Sequence, residues 1–117
     1  MITYNPLLCL DFYKTCHAEQ YPKGLTKMVS YYTPRMSRLS DTDKVTLFGL
    51  QAFTQEYLIE AFNDHFFNVP FDSVLKEYTR VLGATIRTKG VGEKRLRELH
   101  DLGYLPLQIR AVPEGTR

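Results

Sequence analysis

Two apolar stripes separated by a proline limit the fold more than any other feature. Leu50, Phe53, Tyr57, Leu58, Ala61 and Phe62 recur at offsets 0, 3, 7, 8, 11 and 12, a spacing that keeps apolar groups on one face of a helix. Pro70 has no backbone N–H to continue the ladder and ends that run. Phe71, Val74, Leu75, Tyr78, Val81 and Leu82 repeat the helical period. Asp72 sits at the amino end, where the helix dipole favours an acid. After a turn flanked by Gly90 and Gly92, a third helix is expected around Leu96, Leu99 and Leu102. Gly103 is its C′ residue.

The flanking segments read differently. Asp11 can cap a short helix through Tyr13, Lys14, His17 and Gln20, stopped by Tyr21-Pro22 and Gly24. Residues 26–33 are β-branched and aromatic and read as a strand ended by Pro34. Residues 35–43 form a polar loop. Val45 to Phe48 suit a second short strand, with Gly49 as the turn. Leu107 to Val112 alternate apolar and polar and suit a third, followed by a turn at Pro113-Glu114-Gly115. The expected order is helix, strand, strand, three helices, strand. That order implies an α+β class: a small antiparallel or mixed sheet layered with amphipathic helices. A three-stranded sheet has open edges unless something pairs with them.

Composition excludes several classes. Of 117 residues, 44% are hydrophobic and 24% charged, which argues against disorder. A (β/α)₈ barrel needs about 250 residues and is too large. Fifteen Lys and Arg against thirteen Asp and Glu leave a net charge of +2, too even for a nucleic-acid or membrane-surface protein. No apolar run approaches the roughly 20 residues of a membrane span. The start Met1-Ile2-Thr3-Tyr4-Asn5-Pro6 lacks the basic and apolar regions of a secretory signal. Two cysteines make no disulfide framework and no C-x-x-C pair, so a reduced cytoplasm is the default compartment.

The chemistry-bearing residues leave alternatives open. His17, His65 and His100 are widely separated, and no metal-ligand spacing joins them. Gly90-Val91-Gly92 lacks the third glycine and preceding strand of a phosphate-binding loop and reads as a plain turn. Cys9 and Cys16 read as buried small hydrophobes. Asp11 and Tyr13 admit two readings: a helix cap with a packed tyrosine, or an exposed pair. In the second, the ring stacks on a flat heterocycle and the carboxylate accepts an amide N–H. Arg35, at the end of the first strand, is either a solvated arginine or a bidentate phosphate ligand. Arg38 and Lys27 pose the same choice. Glu93-Lys94-Arg95 and Arg97-Glu98 mix both signs and read as a solvated helix face.

Four blocks, taken in order, carry a resemblance. They are Asn5-Pro6-Leu7-Leu8 through Asp11-Phe12-Tyr13-Lys14, His17 and Gln20-Tyr21-Pro22; Thr26 through Arg35; Phe48-Gly49-Leu50-Gln51 with Tyr57-Leu58; and Leu105-Pro106-Leu107 with Ala111-Val112-Pro113-Glu114-Gly115. Together they resemble the amino-terminal part of the nicotinamide phosphoribosyltransferase family, over essentially the whole chain. The resemblance implies transfer of the phosphoribosyl group of phosphoribosyl pyrophosphate (PRPP) to nicotinamide. The products are nicotinamide mononucleotide and pyrophosphate, a step of NAD salvage. It implies a cytoplasmic homodimer whose active site lies at the subunit interface, a mixed α/β domain, and a type II phosphoribosyltransferase barrel beyond residues 1–117.

By residue-wise match, Tyr13 would stack on the nicotinamide ring, Asp11 would sit near the carboxamide, and Arg35 would contact phosphate. The catalytic groups and the Mg²⁺ that helps pyrophosphate leave would lie outside this segment, so the chain alone should show no turnover. Phe12 departs from the small polar residue common at that position. Related nicotinate enzymes share an Asp-x-Tyr-Lys start, which keeps a nicotinate phosphoribosyltransferase fragment as an alternative, while His17 with Gln20-Tyr21-Pro22 favours the amide branch. A non-catalytic binding or regulatory module is the alternative from another class.

Overall fold

The computed structural model describes residues 4–85 and 92–117. The turn expected at Gly90-Val91 lies outside them. A long continuous helix spans residues 50–67. It opens as α1 (Leu50–Ala52) and runs on in the wide i→i+5 winding over Phe53–Ala61 and Asn63–Phe67. Two ordinary helices follow, α2 (Phe71–Gly83) and α3 (Glu93–Leu102). Two short 3₁₀ helices, Pro6–Leu8 and Phe12–Glu19, precede them.

All three helices expected from the apolar stripes are present, but the first is wound differently. In the i→i+5 form each turn holds more residues than in an α-helix. Phe53, Tyr57, Phe62 and Phe66 advance in steps of four, five and four residues, so the wider winding brings all four to one side. Their rings form a continuous series. Phe53 stacks on Tyr57 at 5.1 Å, Tyr57 meets Phe62 edge-on at 6.0 Å, and Phe62 meets Phe66 at 6.3 Å. The helix closes where Asn68 N–H donates to the Asn63 carbonyl at 2.9 Å.

The core is small and aromatic. Phe62, Phe66, Val74 and Leu96 are buried together, one or two from each helix. Leu7, Leu75, Leu99 and Leu105 pack around them. His100, in the last turn of α3, reaches across with Nε2 2.8 Å from the Val69 carbonyl. Its ring lies edge-on to both Phe66 and Phe71 at 5.4 Å. Gly103 ends α3 with φ 76, a left-handed conformation open to glycine and strained for most other residues.

The charged face of α3 carries exposed i,i+4 pairs, Glu93–Arg97 at 3.4 Å and Lys94–Glu98 at 3.9 Å. Arg97 does more than meet solvent. Its guanidinium carbon lies 3.9 Å from the centroid of the Phe71 ring and so ties α3 to the start of α2.

The expected α+β class is overturned. Among the described residues there is no strand and no sheet. Residues 26–33, 45–48 and 107–112 take no regular secondary structure and form no ladder. The physical reason is that β-propensity favours an extended backbone, whereas a strand exists only when a neighbour satisfies its N–H and C=O groups. Two loops distant in sequence do meet by backbone hydrogen bonds at Leu47. Leu47 donates to the Thr116 carbonyl at 3.1 Å and accepts from the Gly115 N–H at 2.8 Å. Beside this clasp, Glu114 Oε1 accepts from the backbone N–H of Gln51 at 2.8 Å. The turn at residues 113–116 thereby caps the long helix from 63 residues away. No described helix is long and apolar enough to cross a membrane.

Candidate functional site

The amino-terminal segment is anchored before it reaches its exposed residues. Asn5 is almost wholly buried, and its Oδ1 accepts from Leu7 N–H at 3.0 Å, capping the Pro6–Leu8 turn. Pro6 is buried, and its carbonyl accepts from the Tyr57 hydroxyl at 3.3 Å. The turn is therefore fastened to the aromatic side of the long helix. Residues 11–19 project from that anchor.

Asp11 precedes the Phe12–Glu19 3₁₀ helix, but its side chain makes no cap hydrogen bond. The first turn is closed by its backbone carbonyl, which accepts from Lys14 N–H at 2.9 Å. The carboxylate instead lies 3.6 Å from Lys14 Nζ. A 3₁₀ helix eclipses side chains three residues apart, so Asp11 and Lys14 fall in one row. Tyr13 is 59% exposed rather than packed. His17 meets its ring edge-on at 5.5 Å, and Lys14 Nζ lies 6.0 Å from its centroid.

The result is an exposed ledge bearing a carboxylate, an ammonium, a phenol ring and an imidazole. The Asp11 side chain thus caps nothing, and the Tyr13 ring is open to solvent. An exposed ring steadied along one edge can stack on a flat heterocycle. A carboxylate beside it can accept an amide N–H. Lys14 and His17 complete the ledge through i,i+3 and i,i+4 spacings that were visible in the sequence.

Arg35 is exposed to solvent. It lies with Lys27 and Arg38 in the exposed stretch of residues 21–46, and among the described residues nothing ties it to Asp11 or Tyr13. Among the described residues no three His, Cys, Asp or Glu side chains gather as metal ligands.

The cysteines need correction. Cys9 is exposed and Cys16 half-buried, not buried small hydrophobes. Cys9 follows a three-residue turn, too short to enclose it. Its thiol interacts with two tyrosines that sequence reasoning did not connect. Hydrogen bonding to Cys9, foremost, raises the Tyr4 phenol above its ordinary value. Burial, then Cys9 and Tyr4, raise that of Tyr57. No local spacing links Tyr57 to Cys9, so the sequence carries no signal for this group.

Comparison with known proteins gives the class first. The model of the nicotinamide phosphoribosyltransferase N-terminal domain matches residues 5–66, more than half of the chain. The chain belongs to that family. A curated relative, the nicotinamide phosphoribosyltransferase of Acinetobacter baylyi, is 44% identical over 118 residues, which cover 97% of this chain and 23% of that protein. The chain thus spans about a quarter of that relative's length. No solved structure matches significantly.

Proposed function

We propose that residues 1–117 are the amino-terminal domain of a cytoplasmic, homodimeric enzyme. Its reaction is phosphoribosyl transfer from PRPP to nicotinamide, giving nicotinamide mononucleotide and pyrophosphate in NAD salvage. The exposed ledge inside the family-matched region carries this reading: Tyr13 presents a ring to solvent with Asp11 two residues away. Tyr13 stacks on the pyridine ring of nicotinamide. Asp11 accepts from the carboxamide N–H, and the same carboxylate repels a nicotinate carboxylate. Arg35 binds a phosphate group of the second substrate. Mg²⁺ bound outside this segment would supply positive charge to the pyrophosphate leaving group. This chain's share is positioning of the base, a contribution that can lower a barrier by several kcal/mol.

The test pairs the 117-residue chain with a polypeptide covering the remaining three-quarters of the Acinetobacter relative. Nicotinamide mononucleotide formation is followed by chromatography, with nicotinate as the competing base. The chain alone should give no product, and the pair should favour nicotinamide. Tyr13→Ala should raise KM for nicotinamide by about tenfold, since stacking on an aromatic ring is worth roughly 1–3 kcal/mol per base. Product from the chain alone, a preference for nicotinate, or an unchanged KM would each refute the reading.

A further inference from the structure

The ledge is held in its backbone and open in its side chains. Lys14 N–H donates to the Asp11 carbonyl at 2.9 Å and closes the first turn of the Phe12–Glu19 helix. Gln20 N–H donates to the His17 carbonyl at 2.9 Å and closes the last. The main chain is thus fixed at both Tyr13 and His17. What remains to be set for Tyr13 is the rotation of its side chain. An exposed tyrosine has three staggered wells at its first dihedral. It can stack on a ligand only from a well that turns a ring face towards it.

Two side chains make ring contacts with Tyr13 among the described residues. Lys14 Nζ lies 6.0 Å from the ring centroid, at the outer limit of a cation–π contact. The Lys14 side chain is 54% exposed, and its ammonium faces Asp11 at 3.6 Å. On a flexible four-carbon stem, it is a loose restraint. His17 is a stiffer one. It is half-buried, and its ring joins the main chain through a single methylene. It meets Tyr13 with the ring centroids 5.5 Å apart and the planes at 62°. Edge-on rings at this separation attract. One such partner leaves at least one face of the Tyr13 ring open.

We infer that His17 is a positioning residue for Tyr13: its imidazole holds the phenol ring in one rotamer and so readies it to stack on a flat heterocycle. This deepens the reading of the ledge as the face that binds the base, and rests on it. His17 acts through the ring of Tyr13. No proton transfer or covalent step is asked of the imidazole, and another flat ring at position 17 should serve in its place. The size of the effect follows from populations. A ring confined to one well is always ready to stack. A ring spread over two or three wells is ready for roughly a half to a third of the time, which weakens apparent affinity by about two- to threefold.

The experiment has two arms. In the first, NMR of the 117-residue chain reads the two Hα–Hβ couplings of Tyr13. They should be unequal in the parent, as for a single well, and converge in His17→Ala. They should stay unequal in His17→Phe, which keeps a flat ring. In the second arm, residues 1–117 are joined in frame to the remaining three-quarters of the Acinetobacter relative, and initial rates are measured. His17→Ala should raise KM for nicotinamide by about two- to threefold, with kcat and KM for PRPP unchanged, and His17→Phe should match the parent. Equal couplings in the parent, or couplings that His17→Ala leaves unchanged, overturn the inference whichever base is bound. The first arm therefore decides even where the fused protein gives no turnover. A His17→Phe variant that behaves like His17→Ala also overturns it, because the ring contact is then not what matters. So does a fall in kcat, a rise in KM for PRPP, or a KM for nicotinamide that Tyr13→Ala raises and His17→Ala does not. If Tyr13→Ala itself leaves that KM unchanged, the base reading fails and takes the inference with it, even where the couplings respond.

Discussion

Removing the Glu114 side chain should loosen the long helix at its amino end. The carboxylate accepts from the Gln51 N–H at 2.8 Å, one of the four N–H groups that a helix start leaves without partners. Two terms contribute. Satisfying an amino-terminal N–H with a side-chain oxygen is typically worth about 1 kcal/mol. Placing a negative charge against the positive end of the helix dipole adds about 0.3–1 kcal/mol at an exposed site. Glu114→Ala loses both and should cost about 1.5 kcal/mol. Glu114→Gln keeps an acceptor oxygen and loses only the charge, so it should cost about 0.5 kcal/mol.

The assay is urea unfolding followed by circular dichroism, with exchange of the Gln51 amide as a local probe. Glu114→Ala should lower the midpoint and speed Gln51 exchange, with the slope of the transition unchanged. Glu114→Gln should lie nearer the parent chain. High salt should shrink the difference between parent and Gln variant while sparing that between Gln and Ala. If the Gln and Ala variants unfold together, or if Gln51 exchange is unchanged in both, the clasp does not cap the helix.

Phe66 is fully buried among Phe62, Phe67 and His100. Phe66→Ala should cost about 3–5 kcal/mol, enough to abolish the cooperative melt of a marginally stable chain; calorimetry checks this. The Tyr57 phenol is raised above 10.0 by burial and by Cys9, so the unfolded chain ionises first. Its contribution to stability is complete below about pH 10 and is lost as pH rises through the folded value. Tyr57→Phe should flatten that alkaline decline, measured by urea midpoints from pH 8 upward. Arg97→Ala removes the guanidinium stacked on Phe71 and should cost about 0.5–1 kcal/mol, whereas Lys94→Ala, which breaks only a solvent-exposed pair, should change stability by less than that; paired denaturation curves decide.

What could be read in the sequence follows the range of the interactions. The helices were legible because their apolar positions are spaced locally. Their winding was not, because offsets of 3, 4, 7 and 8 suit an α-helix, and only ring packing favours the wider form. Residues 26–33 and 107–112 have strand composition. Pairing them is a long-range event, and among the described residues neither joins a ladder. The ledge of Asp11, Lys14, Tyr13 and His17 was legible because it spans seven consecutive residues. Its exposure was not, since a cap with a packed tyrosine uses the same letters. The Glu114 cap and the contacts of Cys9 with Tyr4 and Tyr57 join residues that sequence spacing does not relate.

The wide winding of residues 53–67 has a consequence for length variation. In an α-helix, removing one residue turns everything beyond it by about 100° and sends a packed face into solvent. The same deletion here would be attractive locally, because it lets the backbone relax to the tighter and commoner i→i+4 register. It would also swing Phe62 and Phe66 away from Val74 and Leu96 and misalign the whole aromatic series. The helix is thus held in its less favoured form by its cargo of rings, and single-residue deletions between 54 and 61 should be rejected even though each would improve the helix itself.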